Sequence, residues 1–490
     1  MIKKISLSVF FILILALILW TYKLQIFLWS LPTIFEFTRP VAENREVIWP
    51  DGPSERDPTL ADKPNIILII GDDHGYPYFG FMGSEIVSTP NMDMLAKSGA
   101  LFTNGYVPDN HCRPALQALI TGIDPYDYIQ QRDSHKDSLK KEQTYLDMDL
   151  DSKKEWEDNF NYHAMKYFNT VPKALQKEGY KSFQSGKWWE YHFKYGGFTE
   201  GMTKGWVREK RNGRNWFQQF MGGEGTDIGR ITNQPVYDFI ENNKSKPFFI
   251  WYAPQLPHYP FDAPHKYRKL YQDKGYSKSA VEYYANCTWF DEAVGDLISY
   301  LKKENIFENT LFVYVNDNGW EQEPYQEFID DPMRSHNGGD KGKLSIFDQS
   351  FRTPIIFSWE NKINKNSKFN DLIHTIDISA TILDYAGVTN FSTVGNGNSF
   401  KNVIKGLEQG SRNMILGKSN KIRDENDPMG RDVKAFWGRN KKWFYKSNIT
   451  DDFEALYNIS EDPFCELNVL NDNSGVAKIF KKELRKKYID

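Results

Sequence analysis

Two apolar segments run straight into acidic residues: Asn65-Ile-Ile-Leu-Ile-Ile-Gly-Asp72-Asp73 and Leu311-Phe-Val-Tyr-Val-Asn-Asp317-Asn318-Gly319. Between them Cys112 opens a helical pattern that ends at Thr121-Gly122. Three carboxylates and one amide are hard oxygen donors of the kind that hold a divalent cation. A cysteine at a helix start, beside such an ion, supplies a candidate nucleophile. Ion plus nucleophile is the equipment of a hydrolase. Each feature alone has a plainer reading. Asp72-Asp73-His74-Gly75 suits a turn or a helix cap, Asn318-Gly319 a tight turn, and Cys112 a small buried side chain. Lys187 and Lys343 suit solvated positions, and His258 a structural one. The chemical reading gains from their joint occurrence in one ordered set.

These residues need a frame to bring them together. Strands are expected at 66–70, 248–252, 311–315 and 355–359, and helices at 91–98, 172–178, 235–242, 281–304 and 376–385. Continuous β-branched runs alternating with helical patterns imply an α/β fold with a large, mostly parallel sheet sandwiched by helices. Sites in such sheets lie beyond the carboxyl ends of the strands, where both acidic pairs fall. Residues 126–167 are highly charged without clear periodicity and read as a solvent-facing insertion. From about residue 410 the pattern changes to short strands and a basic terminal helix, a smaller C-terminal α+β subdomain. The expected organisation is an N-terminal membrane anchor or signal segment over 1–37, a linker over 38–63, a catalytic domain over 64–400 and the subdomain over 401–490.

The chain has 490 residues, 15% of them aromatic, and a formal net charge of −4, which argues against nucleic acid as a partner. Cys112, Cys287 and Cys465 show no spacing for zinc or a disulfide framework. Lys3-Lys4 precede an almost unbroken apolar run over 6–20 that no small-residue cleavage site follows, which reads as an uncleaved anchor. The expectation is an exported protein, periplasmic or otherwise extracytoplasmic, with N-terminal membrane association.

The ordered motifs resemble the sulfatases, a family of the alkaline-phosphatase superfamily. They comprise Pro64-Asn-Ile-Ile with Asp72-Asp73, Thr89-Pro-Asn-Met-Asp-Met-Leu-Ala, Cys112-Arg-Pro114 with Thr121-Gly122, and Gly186-Lys187-Trp188. His258-Tyr-Pro, Asp317-Asn318-Gly319, Gly342-Lys343, Arg352-Thr-Pro354 and Thr375-Ile-Asp377 complete the series. The resemblance covers most of the chain from Lys63 to about Leu470. It implies an alkaline-phosphatase-like fold and sulfuric ester hydrolysis. It also implies one Ca2+ ion on Asp72, Asp73, Asp317 and Asn318, and conversion of Cys112 to formylglycine by a maturation enzyme. Lys187 and Lys343 would bind sulfate oxygens, and His258 would protonate the departing alcohol.

Two positions depart from the family pattern. Leu116 stands where Cys-x-Pro-x-Arg has arginine, and Trp189 where Gly-Lys-Trp-His has histidine. His111 and His192 are the candidate stand-ins for that histidine, and Arg113 for the missing positive charge. Trp188, Trp189, Tyr191 and Tyr195 follow Lys187, where a bound ester would extend, and aromatic faces suit sugar rings. His336 and Lys341 are further candidate substrate contacts. The expected substrate is a sulfated sugar or polysaccharide. Phosphoester hydrolysis on the same fold and a catalytically weak sulfated-glycan binder are the alternatives.

Overall fold

The computed structural model describes residues 14–23, 26, 30, 63–205, 225, 227–259, 261–322, 338–389, 394–419, 435–448 and 453–490. An eight-stranded sheet forms the centre. Its strands are β1 (Asn65–Gly71), β2 (Ala100–Tyr106), β3 (Lys181–Gly186), β4 (Glu200–Gly201), β5 (Phe248–Ala253), β6 (Thr310–Asn316), β7 (Arg352–Ser358) and β8 (Ser367–His374). Their spatial order is β4-β3-β5-β1-β6-β7-β2-β8. Every neighbouring pair is parallel except β6–β7 and β7–β2, so β7 alone runs against the others.

Side-chain alternation splits β1 between two cores. Ile67 and Ile69 join Phe312, Ile250 and the helix Lys278–Lys303 on one face. Ile66, Leu68 and Ile70 join Val313, Trp251 and the helices Cys112–Thr121 and Thr375–Tyr385 on the other. A strand covered on both sides must be apolar throughout, which is why β1 and β6 were legible as unbroken hydrophobic runs.

All four strands and all five helices expected from the sequence form, with ends shifted by a few residues. β2, β3, β4 and β8 were not expected. β3 (Lys-Ser-Phe-Gln-Ser-Gly) is polar yet buried, because its side chains find partners inside the sheet: Ser185 Oγ donates to the Trp251 carbonyl at 2.8 Å. Residues 126–167 are largely solvent-facing, as expected. They fold into the helices Pro125–Leu139, Gln143–Leu146 and Leu150–His163. The Asp124 and Asp149 side chains cap the first and last of these. These helices bury few residues, so little hydrophobic periodicity marks them in the sequence.

A second, antiparallel sheet of order β12-β11-β10-β9 comprises β9 (Ile415–Ser419), β10 (Ala435–Arg439), β11 (Trp443–Asn448) and β12 (Glu454–Asn458). The helix Ser474–Tyr488 covers it through Phe480 and Leu484. Residues 14–21 are helical, and Leu15, Leu17 and Trp20 are exposed. Residues 6–13 of the apolar run, 38–62 of the linker and His336 lie outside the described residues. Among the described residues no helix is long and apolar enough to cross a membrane, so the expected spanning anchor gains no support from the fold.

The last residue of β3 controls where Lys187 begins. Gly186 has φ +75, and a Cβ there would lie 1.9 Å from the Ala253 carbonyl oxygen. Gly186→Ala is therefore expected to destabilise the protein by about 2 kcal/mol or more. Thermal unfolding checks this, and an unchanged midpoint would contradict it.

Candidate active site

Four adjacent parallel strands, β3-β5-β1-β6, end at one edge of the sheet. Lys187 follows β3, His258 lies five residues past β5, Asp72 and Asp73 follow β1, and Asp317 and Asn318 follow β6. Cys112 arrives from the loop after β2, and Lys343 from the segment before β7. Topology alone thus gathers residues from six separate parts of the chain.

The turn after β1 is held from several sides. Asp73 has φ 61, a left-handed conformation that aspartate tolerates better than most residues. Its amide donates to Asp317 Oδ1 at 3.1 Å, and Tyr283 Oη donates to its carbonyl at 2.9 Å. Asp72 extends the sheet by one step, its amide bonding the Leu256 carbonyl at 3.0 Å. Asp72, Asp73, Asp317 and Asn318 are each no more than 2% exposed.

Ligand atoms of Asp72, Asp73, Asp317 and Cys112 all lie within 4.8 Å of one another. The two lysines neutralise this cluster. Lys187 Nζ reaches Asp72 Oδ1 at 2.5 Å and Asp317 Oδ2 at 2.8 Å. Lys343 Nζ reaches Asp73 Oδ1 at 2.7 Å. Asn318 Nδ2 donates to Asp73 Oδ1 at 2.7 Å, and Asn318 Oδ1 accepts from Cys112 Sγ at 3.3 Å.

Two ammonium groups do not fully satisfy three buried carboxylates. Burial, reinforced by Asp317 and Asp73 against Lys187, pushes Asp72 well above the usual carboxylate range. Burial also works against Asp73, but Lys343, His258 and Lys187 outweigh it and hold Asp73 at about 2. Asp72 Oδ2 is buried with no hydrogen-bond partner among the described residues. A divalent cation between these oxygens would reverse the penalty on Asp72 and give its orphaned oxygen a partner. The donor set therefore fits a hard cation.

Cys112 is the first residue of its helix. Pro114 sits in the first turn, where it costs no helical hydrogen bond, and Gly122 closes the far end at φ 66. The unpaired amides of the first turn give that end partial positive charge, which favours an anion beside residue 112. As a free thiol Cys112 is pushed up to about 12, by burial first and then by Asp317. It would be a poor nucleophile at neutral pH.

His258 is held nearly as tightly. Its Nδ1 donates to the Tyr259 carbonyl, which leaves Nε2 facing Asp73 Oδ2 at 3.6 Å. Burial, then Lys343 and Lys187, overcome the pull of Asp73 and keep the imidazole down at about 3.

The substrate residues expected from the sequence fare differently. Trp188 is 3% exposed and packs edge-on against Trp251 and Phe198, so it is core and not a substrate contact. Trp189 is half-buried, with the Lys187 ammonium 5.9 Å from its ring centroid. Tyr191 is half-buried and lies against His163, their ring centroids 4.5 Å apart. Lys341 points elsewhere, donating to the Phe464 carbonyl at 2.6 Å. His192 spends its Nδ1 on the Lys194 amide, and Leu116 turns into the core.

One buried charged neighbour of the Cys112 helix was missed in the sequence. Glu190, 3% exposed, accepts from Arg113 Nε at 2.8 Å, Arg113 Nη2 at 2.9 Å and Gln117 Nε2 at 3.0 Å. The i and i+4 spacing of Arg113 and Gln117 on the Cys112 helix was the available signal, but nothing local tied it to Glu190.

A large mostly parallel sheet with a buried acidic cluster and a cysteine at its carboxyl edge is an arrangement suited to hydrolysis. The family model described as Sulfatase matches residues 64–388, and that described as N-sulphoglucosamine sulphohydrolase, C-terminal, matches residues 339–490. The chain belongs to the sulfatase family and is a sulfuric ester hydrolase by class. It is 25% identical over 467 residues to an ulvan-active sulfatase of Formosa agariphila, covering 86% of this chain and 79% of that protein. It is 24% identical over 492 residues to an arylsulfatase of Clostridium perfringens, covering 85% and 92%. In structure it is similar to Ps i-CgsB, with TM-score 0.65, 22% identity, and coverage of 87% of this chain and 93% of that one.

Proposed function

We propose that this protein releases sulfate from a sulfated carbohydrate, using residue 112 as the nucleophile position and one Ca2+ ion held by Asp72, Asp73, Asp317 and Asn318. The observation that carries the reading is the convergence of Cys112 with three buried carboxylates and two buried lysines at one sheet edge. Bound there, the ion would withdraw charge from the sulfate oxygens. Formylglycine at Cys112, made by a maturation enzyme, would supply a hydrated aldehyde in place of a thiol that burial leaves unreactive.

The chain's own residues do the rest. Lys187, paired with Asp72 and Asp317, and Lys343, paired with Asp73, supply positive charge to the sulfate oxygens. Asn318 holds the side chain of residue 112 through Oδ1. The Cys112 helix presents its positive end to the sulfate. His258 gives a proton from Nε2 to the departing alcohol. Burial favours its neutral form, and the ester's negative charge opposes that by favouring imidazolium. The carbonyl of Tyr259 fixes the ring and the tautomer.

Sulfated polysaccharide as substrate rests on relatives such as the ulvan-active sulfatase, and on half-buried Trp189 near Lys187. The basic and apolar N-terminal segment supports export, and the exposed apolar helix over 14–21 supports association with a membrane surface.

Cys112→Ala is expected to abolish sulfate release while thermal stability persists, and the Cys112 peptide from native-host protein is expected to show the mass deficit of thiol-to-aldehyde conversion. Activity in the variant, or an unmodified thiol in active protein, would contradict the nucleophile assignment. His258→Ala is expected to slow alkyl sulfate esters about 100-fold or more, while sparing 4-nitrophenyl sulfate, whose leaving group needs no proton. Equal losses on both ester types would remove the acid role.

A further inference from the structure

The arginine beside the nucleophile does not serve the nucleophile. Glu190 grips Arg113 through Nε and Nη2, and Nη2 also donates to the Asn161 carbonyl at 2.6 Å. The guanidinium lies over the Tyr162 ring, 4.9 Å from its centroid. Held on these three sides, Arg113 cannot swing toward Asn318 and the carboxylates. Its Nη1 has no partner among the described residues, and the side chain keeps 23% of its surface exposed.

This is an expensive arrangement if its only purpose is structural. Glu190 is a buried carboxylate three residues past Lys187, and it is spent on fixing one fork of a guanidinium whose other nitrogen is left open. Tyr162, at the end of helix Leu150–His163, lies against the guanidinium, and the next residue, His163, packs on Tyr191 from the loop after β3. An anchored guanidinium with spare donors next to ring faces is suited to a planar or tetrahedral anion carried on a sugar.

We propose that Arg113 determines specificity by binding a second anionic group, a carboxylate or a further sulfate, on the sugar that carries the scissile ester or on its neighbour. Arg113 follows residue 112 directly at the start of one helix, so the second anion would sit to the side of the ester under attack. The substrate class is then an acidic glycan bearing at least two negative charges in adjacent positions, not a singly sulfated neutral sugar. Glu190 and Gln117 act as positioning residues for Arg113. This inference rests on the sulfatase reading for its first anion.

Binding to Cys112→Ala protein separates recognition from catalysis. Two matched pairs serve as probes: a glucosamine-6-sulfate disaccharide with its uronate carboxylate and its carboxyl-reduced counterpart, and a doubly and a singly sulfated carrageenan disaccharide. The doubly charged member of at least one pair is expected to bind about tenfold tighter by calorimetry, the worth of one charge-assisted hydrogen bond. Adding Arg113→Gln with Glu190→Gln, which avoids leaving Glu190 buried and unpaired, is expected to bring that ratio within twofold. If the double variant folds poorly, Arg113→Lys decides, and the ratio is expected to fall at least threefold. Equal affinities within both pairs, or a ratio that survives these substitutions, overturns the proposal. Failure of intact protein to release sulfate from any of the four sugars or from 4-nitrophenyl sulfate would instead overturn the sulfatase reading, while the binding ratio would still decide the role of Arg113.

Discussion

Three carboxylates that face one another inside a protein repel, and each has given up water; the molecule is built around compensating that cost. Asp72, Asp73 and Asp317 meet at the edge where four parallel strands end, and every element nearby supplies something to hold them there. Lys187 and Lys343 bring charge, the backbone amide of Asp73 and the amide of Asn318 bring hydrogen bonds, and Tyr283 pins the turn. A buried charge with its partner removed is costly, about 3–5 kcal/mol for a broken buried pair. The same imbalance would favour a cation among these oxygens. Stability and function thus draw on one set of contacts.

Much of this was legible in the sequence because its causes are local. β1 and β6 are covered on both faces, so their apolar runs stand out, and the acidic pairs that end them mark the sheet edge. The long helix Lys278–Lys303 declares itself by length and periodicity. What stayed hidden depends on partners distant in the chain. β3 is polar and was missed because its hydrogen bonds are made to β5 and to its own turn. The helices between residues 125 and 163 were missed because they bury so little. Trp188 reads like Trp189 in a bare sequence. Only packing shows that one lies in the core and the other near Lys187.

The departures from the family pattern make sense together. Leu116 and Trp189 replace a basic and a titratable residue with two apolar ones, and both now join the hydrophobic cluster under the helix of Cys112. Arg113 on the same helix carries positive charge along a different face and is anchored by Glu190. The residues beneath the Cys112 helix are therefore apolar at these two positions. Neither Leu116 nor Trp189 is part of the acidic cluster.

The cation cluster is the claim on which the account stands. Calorimetric titration of calcium into chelator-treated protein tests it directly. The account predicts one ion per chain, with binding lost in Asp317→Asn. No binding, or binding that survives that substitution, would contradict it.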